Sequence, residues 1–159
     1  DAGFAALASR AGPTSLPKLS TLDVSCNAIG AAGMKALGVA MQRGGLRACA
    51  TLDLAHNRIA DTGIIELAYA LKQPRGYGGA LTQAALKQPS LCRLPHLREL
   101  RLEGNRDIRD VGISALAHLC FEGDLDPAVL RLSVDGTVTA RLRSMIEIQE
   151  SFKKNSLSA

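Results

Sequence analysis

Pairs of large aliphatic residues recur two positions apart along the chain: Leu22 and Val24, Leu52 and Leu54, Leu100 and Leu102, Leu130 and Leu132. A two-residue step turns both side chains to the same face of a short strand. Three positions after each pair stands a turn-forming polar residue: Asn27, Asn57, Asn105 and, in the fourth case, Asp135. Helical phrases follow the first three, namely Gly33-Met-Lys-Ala-Leu37, Gly63-Ile-Ile-Glu-Leu67 and Gly112-Ile-Ser-Ala-Leu116, while the fourth keeps only an amphipathic helix. The pattern predicts strand, turn and helix in that order, repeated along the chain.

No single unit can bury its apolar side alone, so the strands are expected to stack in parallel, with the aliphatic pairs and the apolar helix faces forming one continuous core. The asparagines fall where the chain leaves each strand. There they can bond the backbone of a neighbouring turn and satisfy groups that burial would orphan. Asp61 and Asp110 stand two residues before Gly63 and Gly112 and read as N-caps of their own helices. Alanine is frequent in these phrases, as close helix stacking requires.

The register also organises the ends and the middle. Asp1-Ala-Gly3-Phe-Ala-Ala-Leu7-Ala aligns with Asp61-Thr-Gly63-Ile-Ile-Glu-Leu67-Ala. Residues 1–12 therefore read as the helical half of a repeat that lacks its strand, and the chain is expected to be a piece of a longer protein. Repeats follow at 19–45, 49–73 and 97–122, with a last repeat and capping helix over 127–154, all in a single array over 1–159. Asn27 to Asn57 spans 30 residues and Asn105 to Asp135 another 30, but Asn57 to Asn105 spans 48. The excess is an insertion at 74–93, holding a second Ala-Leu-Lys-Gln-Pro and the glycine-rich Pro74-Arg-Gly-Tyr77-Gly-Gly. It reads as a surface loop with a short helix, either a neutral insertion or a contact, across which strands 51–54 and 99–102 still pair.

The pattern L-x-x-L-x-L-x-x-N followed by Gly-x-x-x-Leu, three times over, resembles the leucine-rich repeat family and within it the ribonuclease-inhibitor-like class. The resemblance implies an α/β solenoid: a short horseshoe arc with parallel strands on the concave side and helices on the convex side. It also implies that Asn27, Asn57 and Asn105 form a structural ladder.

Composition narrows the function. Aromatic residues are 3% of the 159, with no tryptophan, too few for platforms that stack bases. The net charge of +4 is spread among interleaved acids, as in Arg98, Glu99, Arg101, Glu103, Arg106 and Asp107, which argues against nucleic acid. No apolar run reaches the ~20 residues of a membrane span. Cys26, Cys49, Cys92 and Cys120 are far apart with no CxxC pair, so they read as free thiols in a reducing, cytoplasmic compartment. His56, His96 and His118 lack ligand spacing, and no phosphate-binding loop or nucleophile elbow is present. The chain is accordingly expected to be no enzyme, with no metal, no cofactor and no small-molecule substrate.

What remains is the concave strip between the inward leucines. Asp23, Ser25, Asp53, Glu99, Arg101, Glu103 and Arg131 are its candidate partner-binding residues, with a middle column running from Asp23 and Asp53 to Arg101 and Arg131. Acidic at one end and basic at the other, it suits a polar protein partner. The expected function is a non-catalytic scaffold that binds other protein subunits. The resemblance favours a structural subunit of a larger assembly of ciliary or cytoskeletal type. Two alternatives stand beside it. One is a sensor module of a NOD-like receptor, which requires a nucleotide-binding domain before Asp1. The other is a GTPase activator resembling the Ran GTPase-activating protein, with Arg58 as a finger. Lys153 and Lys154 stand where that family carries an acidic tail.

Overall fold

The computed structural model describes residues 1–11, 16–72, 94–122, 131–136 and 140–148. Helices and strands alternate as α1 (Ala2–Arg10), β1 (Thr21–Asp23), α2 (Ala31–Gln42), β2 (Thr51–Asp53), α3 (Asp61–Leu71), β3 (Glu99–Arg101), α4 (Asp110–Glu122) and β4 (Arg131–Ser133). A further helix covers 140–148. The insertion at 74–93 and the end of the capping helix lie outside the described residues.

The strands form one parallel sheet in chain order, β1-β2-β3-β4. Leu22, Leu52, Leu100 and Leu132 are direct partners across it. β2 and β3 keep this register although the insertion separates them in sequence. The two-residue spacing then does what it predicts: Leu52, Leu54, Leu100 and Leu102 are 0–1% exposed and meet Leu37, Ile64, Leu67 and Leu116 from the helices. This is the α/β leucine-rich solenoid arc, sheet on one side and helices on the other. Beyond β4, Leu142 inserts into the same core, with Met145 and Ile146 half-buried against it.

Hydrogen bonds between repeats run at two levels. At the turns, Asn57 Oδ1 accepts the N–H of Ile29 at 3.0 Å, while its Nδ2 donates to the carbonyls of Val24, Leu54 and Ala55. Asn105 does the same one repeat on, accepting from Ile59 and donating to Leu54 and Leu102. The fourth repeat departs from the expected alignment by two residues: Leu132, not Leu130, pairs with Leu100, so Asp135 falls level with Glu103, not in the asparagine place, and accepts from Gly104 N–H at 3.1 Å. Asn27 differs: it is exposed, and its bonds go to Val24 and Ser25 of its own turn.

At the helix ends, the expectation for Asp61 and Asp110 is corrected. Each is the first residue of its helix, and Ala60 occupies the N-cap of α3 without a side-chain bond. The carboxylate of Asp61 instead reaches the next repeat and accepts from Arg109 N–H at 2.7 Å and Gly112 N–H at 2.9 Å. Asp1 treats α2 in the same way, through Gly30 and Gly33. Asp110 pairs with Arg141 of the 140–148 helix at 2.6 Å. These contacts also account for the glycines. A Cβ on Gly112 would lie 2.6 Å from Asp61 Oδ1, so only glycine lets the capping carboxylate approach.

Candidate protein-interaction surface

The side chains between the inward leucines stand on the open face of the sheet, the concave side of the arc. Each strand contributes three positions: Thr21, Asp23 and Ser25; Thr51, Asp53 and Ala55; Glu99, Arg101 and Glu103. β4 corrects the expected middle column: Ser133, not Arg131, pairs with Arg101, because the fourth strand is shifted by two residues, and Arg131 falls next to Glu99; the Arg131 side chain lies outside the described residues.

At the β1 end, Asp23 is exposed and folds its carboxylate onto Ser25, accepting from the backbone N–H at 2.9 Å and the hydroxyl at 2.7 Å. Those two bonds, with a weaker contribution from Arg101, hold its carboxyl below the usual carboxylate range. Asp53 makes the same local turn, accepting from Ala55 N–H at 3.0 Å, but it is only 8% exposed.

Arg101 crosses from β3 to reach Asp53. Its Nη1 lies 3.2 Å from Asp53 Oδ2, and its Nε and Nη2 each lie 2.9 Å from Glu99 Oε1. The two carboxylates, Glu99 foremost, hold the guanidinium still more firmly in its charged form. Asp53 and Arg101 therefore meet in the middle of the strip instead of presenting separate acidic and basic ends. Beside them, Glu103 Oε2 is buried and has no hydrogen-bond partner among the described residues. Among the described side chains the face carries four carboxylates against one guanidinium, although the whole chain is +4.

The remaining candidates are dispersed. Arg58 is exposed at the turn after Asn57, on the rim of the sheet. His56, His96 and His118 are exposed and lie on different elements. Among the described residues no three His, Cys, Asp or Glu side chains are grouped to hold a metal ion, and no helix is long and apolar enough to cross a membrane. Cys26 is exposed, whereas Cys49 is buried, donates to Thr51 O at 3.2 Å and has its thiol pKa pushed up by burial.

Sequence reasoning missed one backbone feature of this rim. Cys26 (φ 54°), His56 (φ 51°) and Gly104 (φ 74°) each precede a ladder asparagine and adopt the left-handed conformation. The glycine at the third position was the only signal of it, because a side chain is tolerated at the other two.

Comparison with known proteins gives matches to the leucine-rich repeat family model at residues 15–38, 51–68 and 93–117. Each stretch contains one strand, β1, β2 or β3, and the start of the helix after it. No curated protein matches the chain. With the repeat matched three times and its strands joined in one parallel sheet through buried asparagines, the chain is a leucine-rich repeat protein.

Proposed function

We propose that the chain is a non-catalytic interaction scaffold whose sheet face binds a basic segment of another protein. Leucine-rich repeats are protein-interaction modules, and a stacked array offers a wide rigid surface without a reactive centre. The observation that carries the reading is the charge of that face: Asp23, Asp53, Glu99 and Glu103 surround Arg101 alone among the described side chains. A lysine- or arginine-rich partner gains from that excess both in its rate of encounter and in its choice of register. Asp23 and Glu103 are the contact residues, while Asp53 and Glu99 orient Arg101.

The alternation of three-residue strands with helices of 11–13 residues supports the ribonuclease-inhibitor-like class. Within the scaffold reading, a structural subunit of a cytoplasmic ciliary or cytoskeletal assembly is favoured, on the resemblance alone.

Sedimentation of the native particle, with mass spectrometry of co-migrating chains, is the test. Migration in a large particle that disperses when Asp23→Lys and Glu103→Lys are introduced, at unchanged helical circular dichroism, is the expected result. A particle untouched by both reversals overturns the sheet-face assignment, and migration as a free chain overturns the structural-subunit role.

A further inference from the structure

Charge is sorted by edge in the folded array. Because the sheet is parallel, the ends of α1, α2 and α3 and the starts of β1, β2 and β3 lie along one edge of it. Arg10 closes α1, Arg43 and Arg47 follow α2, Lys72 follows α3, and Lys18 and Arg98 lead into β1 and β3; all six are exposed. In sequence, the stretches 10–20, 42–50 and 71–98 hold nine of the 19 Lys and Arg residues and none of the 15 Asp and Glu residues. The interleaving of charges along 99–110 therefore does not extend to this edge. The opposite edge is mixed, with Arg106 and Arg109 beside Asp107 and Asp110. Between α4 and β4 the sign reverses to Asp124 and Asp126, so the basic strip ends at β3.

Helix capping accounts for little of this strip. Arg43 Nη1 donates to Ser9 O in the last turn of α1 at 3.2 Å. A helix C-terminus carries only about half a negative charge, so three of them offset a minority of six cations. The six stand in two rows. Arg10, Arg43 and Lys72 follow the helix ends, about 9 Å apart, while Lys18, Arg47 and Arg98 follow the strand starts, about 5 Å apart. Together they form a two-dimensional fan of positive charge, ~18 Å across its wider side. Tyr77 is the only aromatic residue in the three stretches, so bases find no stacking platform there.

We propose that this edge docks on an anionic phospholipid surface. An extended acidic peptide follows one row, and a nucleic-acid duplex curves away from the second, whereas a bilayer of acidic headgroups meets both rows at once. The strip runs across the strand starts, so the strands then stand along the bilayer normal and the sheet face stays open sideways to a protein. Docking is by charge and weakens as salt is added. The strip lies on a different side of the array from Asp23 and Glu103, and the inference does not rest on the sheet-face reading.

The probe is the full chain with vesicles of phosphatidylcholine containing about 30% phosphatidylserine, at about 0.1 M salt, read by co-sedimentation. Binding is expected to these vesicles and not to phosphatidylcholine alone. Each cation at such a surface strengthens binding about fivefold, so Lys18→Gln with Lys72→Gln should weaken it by about 25-fold at unchanged circular dichroism. Arg106→Gln with Arg109→Gln removes the same charge from the opposite edge. That edge is the length of α3 away, about 16 Å for its 11 residues. This exceeds the screening length of ~10 Å, so the second pair should change binding by less than about twofold. No binding to the acidic vesicles, equal losses from the two pairs, or tighter binding to duplex RNA or polyglutamate than to vesicles at equal anion concentration would each overturn the proposal.

Discussion

Asp61 Oδ1 accepts the backbone N–H of Gly112 at 2.9 Å, across 51 residues of sequence. A carboxylate at the start of α3 thus caps the helix of the following repeat, and Asp1 does likewise for α2. The first residue of α2 is Ala31, so α3 receives no such cap. Capping in this array is a bond between layers, and it ties helix stability to the stacking of repeats.

Removing that bond should therefore cost more than an ordinary surface substitution. Asp61→Ala is expected to lower stability by about 1–2 kcal/mol, the upper part of the range for a lost N-cap. Ala31→Asp places a carboxylate beside Gly63 N–H and is expected to add about 0.5–1 kcal/mol. Urea unfolding of the two variants checks both signs. Equal, near-zero effects would show that these carboxylates contribute nothing across layers.

The asparagines should not be equivalent. Asn105→Ala takes the acceptor from the N–H of Ile59 and the Asn105 donor from the carbonyls of Leu102 and of Leu54, which keeps Asn57, in a dry turn, at an expected cost of about 2–4 kcal/mol. Asn27→Ala exposes its partners to water and should cost below about 1 kcal/mol. Thermal unfolding of both variants measures the contrast, and matching losses would refute the distinction.

Left-handed residues before the ladder predict opposite signs at two neighbouring sites. His56→Gly relieves the strain of φ 51° at an exposed position and should raise stability by about 0.5 kcal/mol. Gly104→Ala should lower it by about 1–2 kcal/mol, because φ is 74° and the new Cβ would collide with the His56 imidazole. The double variant His56→Gly, Gly104→Ala should recover the collision part. Additive effects in that cycle would show that the two residues do not touch.

Cys49 predicts an alkaline limit. Burial raises its thiol pKa in the folded chain, so folding favours the protonated form. Above the unfolded thiol's pKa the unfolded state sheds a proton that the folded state keeps, and stability falls as pH rises through this range. Unfolding midpoints from pH 7 to 10 for the wild type and Cys49→Ala should diverge there, with the alanine variant losing less. Native-state alkylation followed by mass spectrometry should label Cys26 and spare Cys49.

Much of this was legible in the residue pattern, for a physical reason. A repeat that buries the same two aliphatic positions in every copy writes its strand face and its period directly into the chain. Leu22, Leu52 and Leu100 could thus be aligned before any geometry was known, as could the pairing of β2 with β3 across the insertion, whereas in the weaker fourth copy the pattern aligned Leu130 where the sheet places Leu132. The ladder role of Asn57 and Asn105 was legible too, because one residue type recurs at the one place where a strand must turn. The partner of each cap was not. Asp61 lies two residues before Gly63, and that spacing suits a local N-cap as well as a bond to the next layer.

By itself, then, the sequence determined the repeat, its strand–turn–helix order, the inward leucines and the turn asparagines. These depend on local periodicity, on one-dimensional stacking and on the need to satisfy buried backbone groups. Only the tertiary structure decided how charges and caps are shared between layers. Arg101 meets Asp53, Asp61 meets Gly112, and Asn27 stands exposed at an open edge where Asn57 is enclosed. Each of these depends on the distance between side chains of adjacent repeats, which the stacked backbone sets and no single repeat encodes.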